Sequence, residues 1–264
     1  MRLCALALKK FGVTVSKQET KGMKIDILAI GAHPDDVELS CCGTLLRHIS
    51  QGKSVGLLDL TRGELGSRGT AELRDVEAAD SAKKMGASFR RNLRMADGLF
   101  QYSEENLLRI VEVIRWCHPT IVLANAPDDR HPDHARAAKL TADACFYAGL
   151  VKIETTYEGQ AQAAWRPKAV YHYIQDKDLK PDFVVDITPF MDKKLELILT
   201  FRSQFFLPDA SEFDAEPKTP ISGKDFFEFV KSKNRAFGRP IGAEFAEGFI
   251  AGRVPGVSDL FDLG

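Results

Sequence analysis

Residues 30–39 read Ile-Gly-Ala-His-Pro-Asp-Asp-Val-Glu-Leu, IGAHPDDVEL, and close an apolar run that starts at Lys24. A near-echo, DDRHPDHARAA, occupies residues 128–138 directly after a second apolar run, TIVLAN at 120–125. In both places a continuous β-rich segment ends in His-Pro-Asp and passes into a stretch with helical spacing, Val37 to Ile49 and Pro132 to Tyr147. A proline in a first helical turn has no N–H to lose, so each motif reads as a strand-to-helix corner with its histidine just ahead of the helix.

Working outward, the same alternation repeats. Strands are predicted at Lys24–Ile30, Ser54–Leu60, Arg90–Met95, Thr120–Asn125, Ala169–Ile174 and Phe183–Ile187. Further helices are predicted at Ala71–Met85, Glu104–Cys117, Pro189–Phe205 and Gly223–Phe237, with a loop over 206–222. Strands alternating with helices imply right-handed crossovers and a mainly parallel sheet. The expected fold is therefore α/β, a Rossmann-like three-layer α/β/α domain covering residues 23–264. Residues 1–22 carry an apolar run, Leu3 to Leu8, too short for a signal core or a membrane span, and are expected to be a flexible extension.

Composition narrows the function classes. Lys plus Arg is 36 and Asp plus Glu is 37 among 264 residues, so no global field draws the chain to nucleic acid or to a membrane. The five cysteines form no CxxC pair and read as reduced thiols of a cytoplasmic protein. The first strand-to-helix turn is Gly31-Ala32-His33-Pro34, not GxGxxG, and no GxxxxGK[ST] occurs, which weighs against a non-catalytic nucleotide-binding module.

Open α/β sheets bind ligands beyond the carboxyl ends of their strands, so the two His-Pro-Asp corners can converge there. Three imidazoles and several carboxylates, with no thiol pair beside them, suit Zn²⁺, with Fe²⁺, Mn²⁺ or Co²⁺ as competitors. His33, Asp36 and one histidine of the second motif would supply three ligands. Asp35, the carboxylate left over, is then placed to take a proton from water. Taken singly, a His-Pro is usually a turn and an Asp-Asp a solvated helix start, but two such corners in one sheet make that bland reading require two coincidences.

At these residues the chain resembles the LmbE-like, PIG-L deacetylase family: AHPDD at 32–36 and RHPDH at 130–134 carry the likeness. TRGE at 61–64, ADG at 96–98, RSQF at 202–205 and AEGF at 246–249 follow in the family's order. The detailed pattern is most similar to the bacillithiol-pathway branch, the N-acetylglucosaminyl-malate deacetylases. The resemblance implies a Rossmann-like fold, one zinc ion, and hydrolysis of the acetamide on a small anionic glucosaminide. Lipid-linked, antibiotic-precursor or mycothiol-precursor-like glucosaminides are the alternatives.

Carried over by motif, His33, Asp36 and His134 are the expected zinc ligands and Asp35 the general base. His131 is the expected charged acid or oxyanion partner, Asp133 orients its ring, and Arg130 sits beside the oxyanion. Some family members place a tyrosine before the downstream motif, where this chain has Asp128, Asp129 and Arg130. A malyl conjugate calls for bidentate arginines, and Arg62, Arg68 and Arg74 are the candidates, Arg74 foremost. Arg74 has an alternative use, pairing with Glu72, Asp75 or Glu77 on a helix face. Asp97 either meets a sugar hydroxyl or forms an Asp-Gly turn. The cluster Phe226, Phe227 and Phe229 reads as a helix burying aromatic rings, and the branch resemblance implies a homo-oligomer.

Overall fold

The computed structural model describes residues 23–206, 213 and 215–263. The extension expected at 1–22, and part of the 206–222 loop, lie outside the described residues.

The central strand, β1 (Ile27–Gly31), is buried along its whole length. It runs parallel to β2 (Val55–Thr61) on one side and to β4 (Ile121–Ala124) on the other. Its side chains alternate between two cores, as the pleat requires. Leu28 and Ile30 pack with Ile110, Ile114 and Leu140 of α4 (Glu104–Cys117) and α5 (Pro132–Ala148). Ile27 and Ala29 face the opposite layer, packing with Leu45 and Leu46 of α2 (Cys42–Ser50). A strand apolar on both faces has to lie between two helical layers. The three-layer expectation is borne out.

The sheet order is β3-β2-β1-β4-β7-β9-β8, where β3 is Phe89–Met95, β7 Ala169–Tyr173, β8 Phe183–Asp186 and β9 Ala246–Ala251. A small hairpin, β5 (Thr156–Tyr157) and β6 (Gln160–Ala161), stands apart. The chain builds outward from β1 through β2 to β3, then returns to lay β4 on the other side of β1. That reversal makes a crevice between the ends of β1 and β4, where both His-Pro-Asp corners emerge.

Three elements differ from expectation. The helix predicted from Val37 is broken at Cys41 (φ −143°, ψ 7°) into α1 (Asp36–Ser40) and α2. The break frees the Gly43 and Thr44 amides to donate to the buried Glu247 carboxylate, at 3.0 and 2.7 Å. The helix predicted to reach Phe205 ends at Ile198 (α6, Met191–Ile198), and the Ser203 amide and hydroxyl instead donate to Glu77 on α3 (Ala71–Met85), at 2.8 and 2.7 Å. Strand β9 was not predicted. It follows α7 (Phe226–Gly238) and inserts antiparallel between β7 and β8.

Behind the crevice lies a buried charge cluster. Arg90 on β3 grips both oxygens of Asp59 at 2.7 and 2.8 Å and reaches Glu38 of α1 at 2.6 Å. All three side chains are almost wholly out of water, so removing the cation leaves two carboxylates uncompensated. Arg90→Leu is expected to lose about 3–5 kcal/mol of stability, read from the shift of the urea unfolding midpoint.

Candidate active site

The crevice opens into a cavity of about 430 Å³. At one end stand the side chains of the two corners: His33, Asp35 and Asp36 follow β1, and His131 and His134 open α5. The His33 ring lies 4.7 Å from that of His131 and 5.5 Å from that of His134, and the rings of His131 and His134 stack at 5.1 Å. Asp36 enters the cluster from below, its carboxylate 3.1 Å from His134 Nε2 and 3.7 Å from His33 Nδ1. So the four side chains named as possible metal ligands, His33, Asp36, His131 and His134, do come together although the two motifs lie about 100 residues apart in the chain.

The donor set fits a divalent ion. Nitrogen atoms of the three histidines lie within 4.8 Å of one another, and a buried carboxylate borders them. Burial works against charge on His33, but hydrogen bonds to Asp133, Asp36 and Asp97 carry its pKa well above the usual value. Burial opposes charge on His134 too, yet Asp36 and Asp129 raise its pKa to about 9. The carboxylates around these rings therefore call for positive charge inside the cluster, which protons or a bound cation can provide. His131 differs from the other two. Its Nδ1 accepts the Asp133 amide at 3.3 Å, so its Nε2 is the nitrogen left to face the cluster.

Groups behind these ligands hold them in place, and sequence reasoning missed most of them. Asn125, at the end of β4, donates to Asp36 Oδ2 at 2.9 Å, and Gln175, just past β7, donates to Asp36 Oδ1 at 3.2 Å. Asp129 takes the His134 Nδ1 side at 2.5 Å and also accepts the amides of Asp176 and Lys177. Their only signal in the sequence is position: each lies at the carboxyl end of a strand or just beyond it.

Asp35 is 4 % exposed, and burial first, then the neighbouring Asp36 charge, pushes its pKa up to about 6 against the pull of Arg74. Its backbone sits at φ 102°, ψ −23°, a region that side-chain-bearing residues rarely visit. Holding it there costs about 1–3 kcal/mol. A hydrogen bond to a charged group returns about 1.5–3 kcal/mol, so contacts to Arg74 are of the size needed. Arg74 Nη2 donates to Asp35 Oδ2 and to the Pro34 carbonyl, both at 2.8 Å, and Nη1 donates to the Gly63 carbonyl at 3.2 Å.

Several expected roles are corrected by this geometry. Arg74 does not pair with Glu72, Asp75 or Glu77; it lines the cavity and is held by Asp35 and by the Pro34 and Gly63 carbonyls. Arg62 is held by Asp75 and Glu72. Arg68 is buried against the carbonyls of Ser203 and Pro217. Arg130 is half exposed on the cavity wall and pairs with Asp176 at 2.6 Å. The Asp133 carboxylate does not orient His131. It is fully buried, accepts from Gly98 and Arg136 at 2.8 and 2.7 Å, and faces His33 Nε2 at 3.3 Å. Burial and the charges of His33 and His134 lower the His131 pKa. Asp97 forms more than a turn: Oδ1 lies 3.0 Å from His33 Nε2 and Oδ2 accepts the Leu65 amide at 2.8 Å.

Apolar lining comes from Ile174, Ile221 and the α7 residues Phe226, Phe229, Val230 and Phe237, and α7 also contributes Lys233 and Asn234. Phe226 is buried as expected, whereas Phe229 is 45 % exposed at the cavity wall.

A histidine and carboxylate cluster at the switch point of a parallel sheet, beside a buried spare carboxylate, is the arrangement of a metal-dependent hydrolase. Comparison with known proteins specifies the class. Residues 28–145 match the family described as PIG-L: GlcNAc-PI de-N-acetylase. A diacetylchitobiose deacetylase of Thermococcus kodakarensis is 31 % identical over 189 residues, covering 68 % of this chain and 70 % of that protein. A 1D-myo-inositol 2-acetamido-2-deoxy-alpha-D-glucopyranoside deacetylase of Kineococcus radiotolerans is 28 % identical over 189 residues, 56 % of this chain and 52 % of its own length. Among solved structures, a conserved protein of Thermus thermophilus is 34 % identical, with a TM-score of 0.77 over 89 % of this chain and 98 % of its own. The chain belongs to the PIG-L de-N-acetylase family and is an amidohydrolase.

Asp129→Asn tests the support behind His134. It is expected to weaken zinc binding about 10–100-fold while the fold persists, measured by calorimetric titration. Unchanged affinity would remove Asp129 from the site.

Proposed function

We propose that the protein hydrolyses the acetamide of an N-acetylglucosaminide, with N-acetyl-α-D-glucosaminyl L-malate as the substrate. The observation that carries the reaction is the convergence of His33, Asp36 and His134 beside the buried Asp35 at one end of a cavity large enough for a sugar. The malyl assignment draws on the likeness of the AHPDD and RHPDH motifs and their companions to the bacillithiol branch.

His33, Asp36 and His134 would hold a divalent ion, zinc by donor type, which supplies Lewis acidity toward water and the amide carbonyl. The chain's own groups do the rest. Asp35, one residue from Asp36 yet turned to Arg74, takes the proton of the attacking water and passes it to the departing nitrogen. With Nδ1 accepting the Asp133 amide, the His131 proton resides on Nε2, which donates to the oxygen where negative charge develops. Arg62 and Arg68 lie outside the cavity lining, so the malyl carboxylates would be met by Arg130 and Lys233 on the cavity wall, in exchange for their contacts to Asp176 and to the Asp176 and Lys177 carbonyls. The apolar α7 face covers the sugar's carbon skeleton and excludes water.

The test is an amine-release assay on the purified protein with three glycosides of N-acetylglucosamine: the L-malyl, the inositol and the chitobiose forms. The malyl compound is expected to show the highest kcat/KM. Preference for either of the others would reject the malyl assignment while keeping the reaction, and no amine from any of them would reject the reaction. Chelation should abolish turnover, with zinc restoring it. Asp35→Asn should retain the ion yet lose at least about 100-fold in kcat, the scale of general acid–base contributions.

A further inference from the structure

We infer that Arg74 is a positioning residue for the base, holding Asp35 in its left-handed backbone geometry. The inference rests on the hydrolytic reading above only in taking Asp35 as the group that handles the proton. Four observations carry it. Asp35 stands at φ 102°, a backbone conformation that residues with side chains rarely adopt. Arg74 lines the cavity at 6 % exposure, and its two terminal nitrogens, though not its Nε, have acceptors: Asp35 Oδ2, the Pro34 carbonyl and the Gly63 carbonyl.

The loop from β2 to α3 is built to let the guanidinium in. Gly63 sits at φ +68°, and a Cβ there would lie 2.0 Å from Arg74 Nη1. Finally, the planar fork lies with one amino group toward the Asp35 segment and the other toward the β2 loop. A lysine, with a single point of charge, cannot bridge both carbonyls and the carboxylate in that way. The arginine thereby ties the strand-to-helix corner after β1 to the loop after β2, two segments that adjoin because their strands pair.

A base held in the wrong place loses turnover without losing binding, since substrate contacts stay where they were. Arg74→Met is expected to lower kcat about 10–100-fold, with KM and zinc content within about twofold of the parent. Arg74→Lys should recover only part of the loss. Gly63→Ala reaches the same guanidinium from the far side and should reproduce the kcat loss. A crystal structure of Arg74→Met should show Asp35 relaxed to negative φ. The inference is overturned if Arg74→Met raises KM at unchanged kcat, as a substrate clamp would, or if Asp35 keeps its backbone geometry and its activity without the arginine. If Arg74→Met does not fold, Arg74→Lys and Gly63→Ala decide by the same kcat-against-KM split. Should the parent enzyme release no amine from any of the glycosides, the hydrolytic reading falls, and the Asp35 φ in the Arg74→Met structure still decides the positioning claim.

Discussion

The structure depends on keeping buried carboxylates compensated. Asp35, Asp36, Glu38 and Asp59 all leave water at the carboxyl ends of two adjacent strands. An isolated carboxylate in such a place would protonate or unfold its surroundings. Each instead has a named partner: Arg74 for Asp35, His134 and Asn125 for Asp36, and Arg90 for Glu38 and Asp59. The two arginines come from α3 and β3, so the elements beyond β2 are anchored to the β1 corner through charge as well as through apolar packing. Lys194 and Glu247 repeat the device deeper in the fold, where that pair caps α2.

This arrangement explains why adjacent aspartates can differ in behaviour. Asp36 is surrounded by donors and stays ionised, its pKa well below the usual range because His134 and His33 outweigh the burial that opposes charge. Asp35 has one cation and a like-charged neighbour, and burial moves it toward neutrality. Two adjacent carboxyl groups are thus shifted in opposite directions within one dipeptide. The strained turn at Asp35 is what directs the two carboxylates to different partners.

The cavity adds a second division. Its polar end is assembled from strand termini and the start of α5, while its apolar side comes from α7, a helix far along the chain. Helix α7 also brings Lys233 and Asn234 to the same wall.

Much of this was legible in the sequence because it is local. The apolar run into IGAHPDD, the proline at each corner and the helical spacing beyond it are near-neighbour features, and they sufficed for the parallel layers and for the histidines and aspartates at the switch point. Helix α4 came out with the bounds expected, Glu104–Cys117, since Ser103 caps one end and His118 in a left-handed turn stops the other. What tertiary structure alone decided is where long, polar side chains end. Arg74, Arg62 and Arg68 look alike in one stretch of sequence, yet one holds Asp35, one pairs with carboxylates on α3, and one is buried against backbone carbonyls. The Asp133 carboxylate turns to His33 rather than His131, and β9 slips between β7 and β8. None of these has a periodicity to read, because each is set by which partner from a distant segment satisfies a buried charge or an unpaired strand edge.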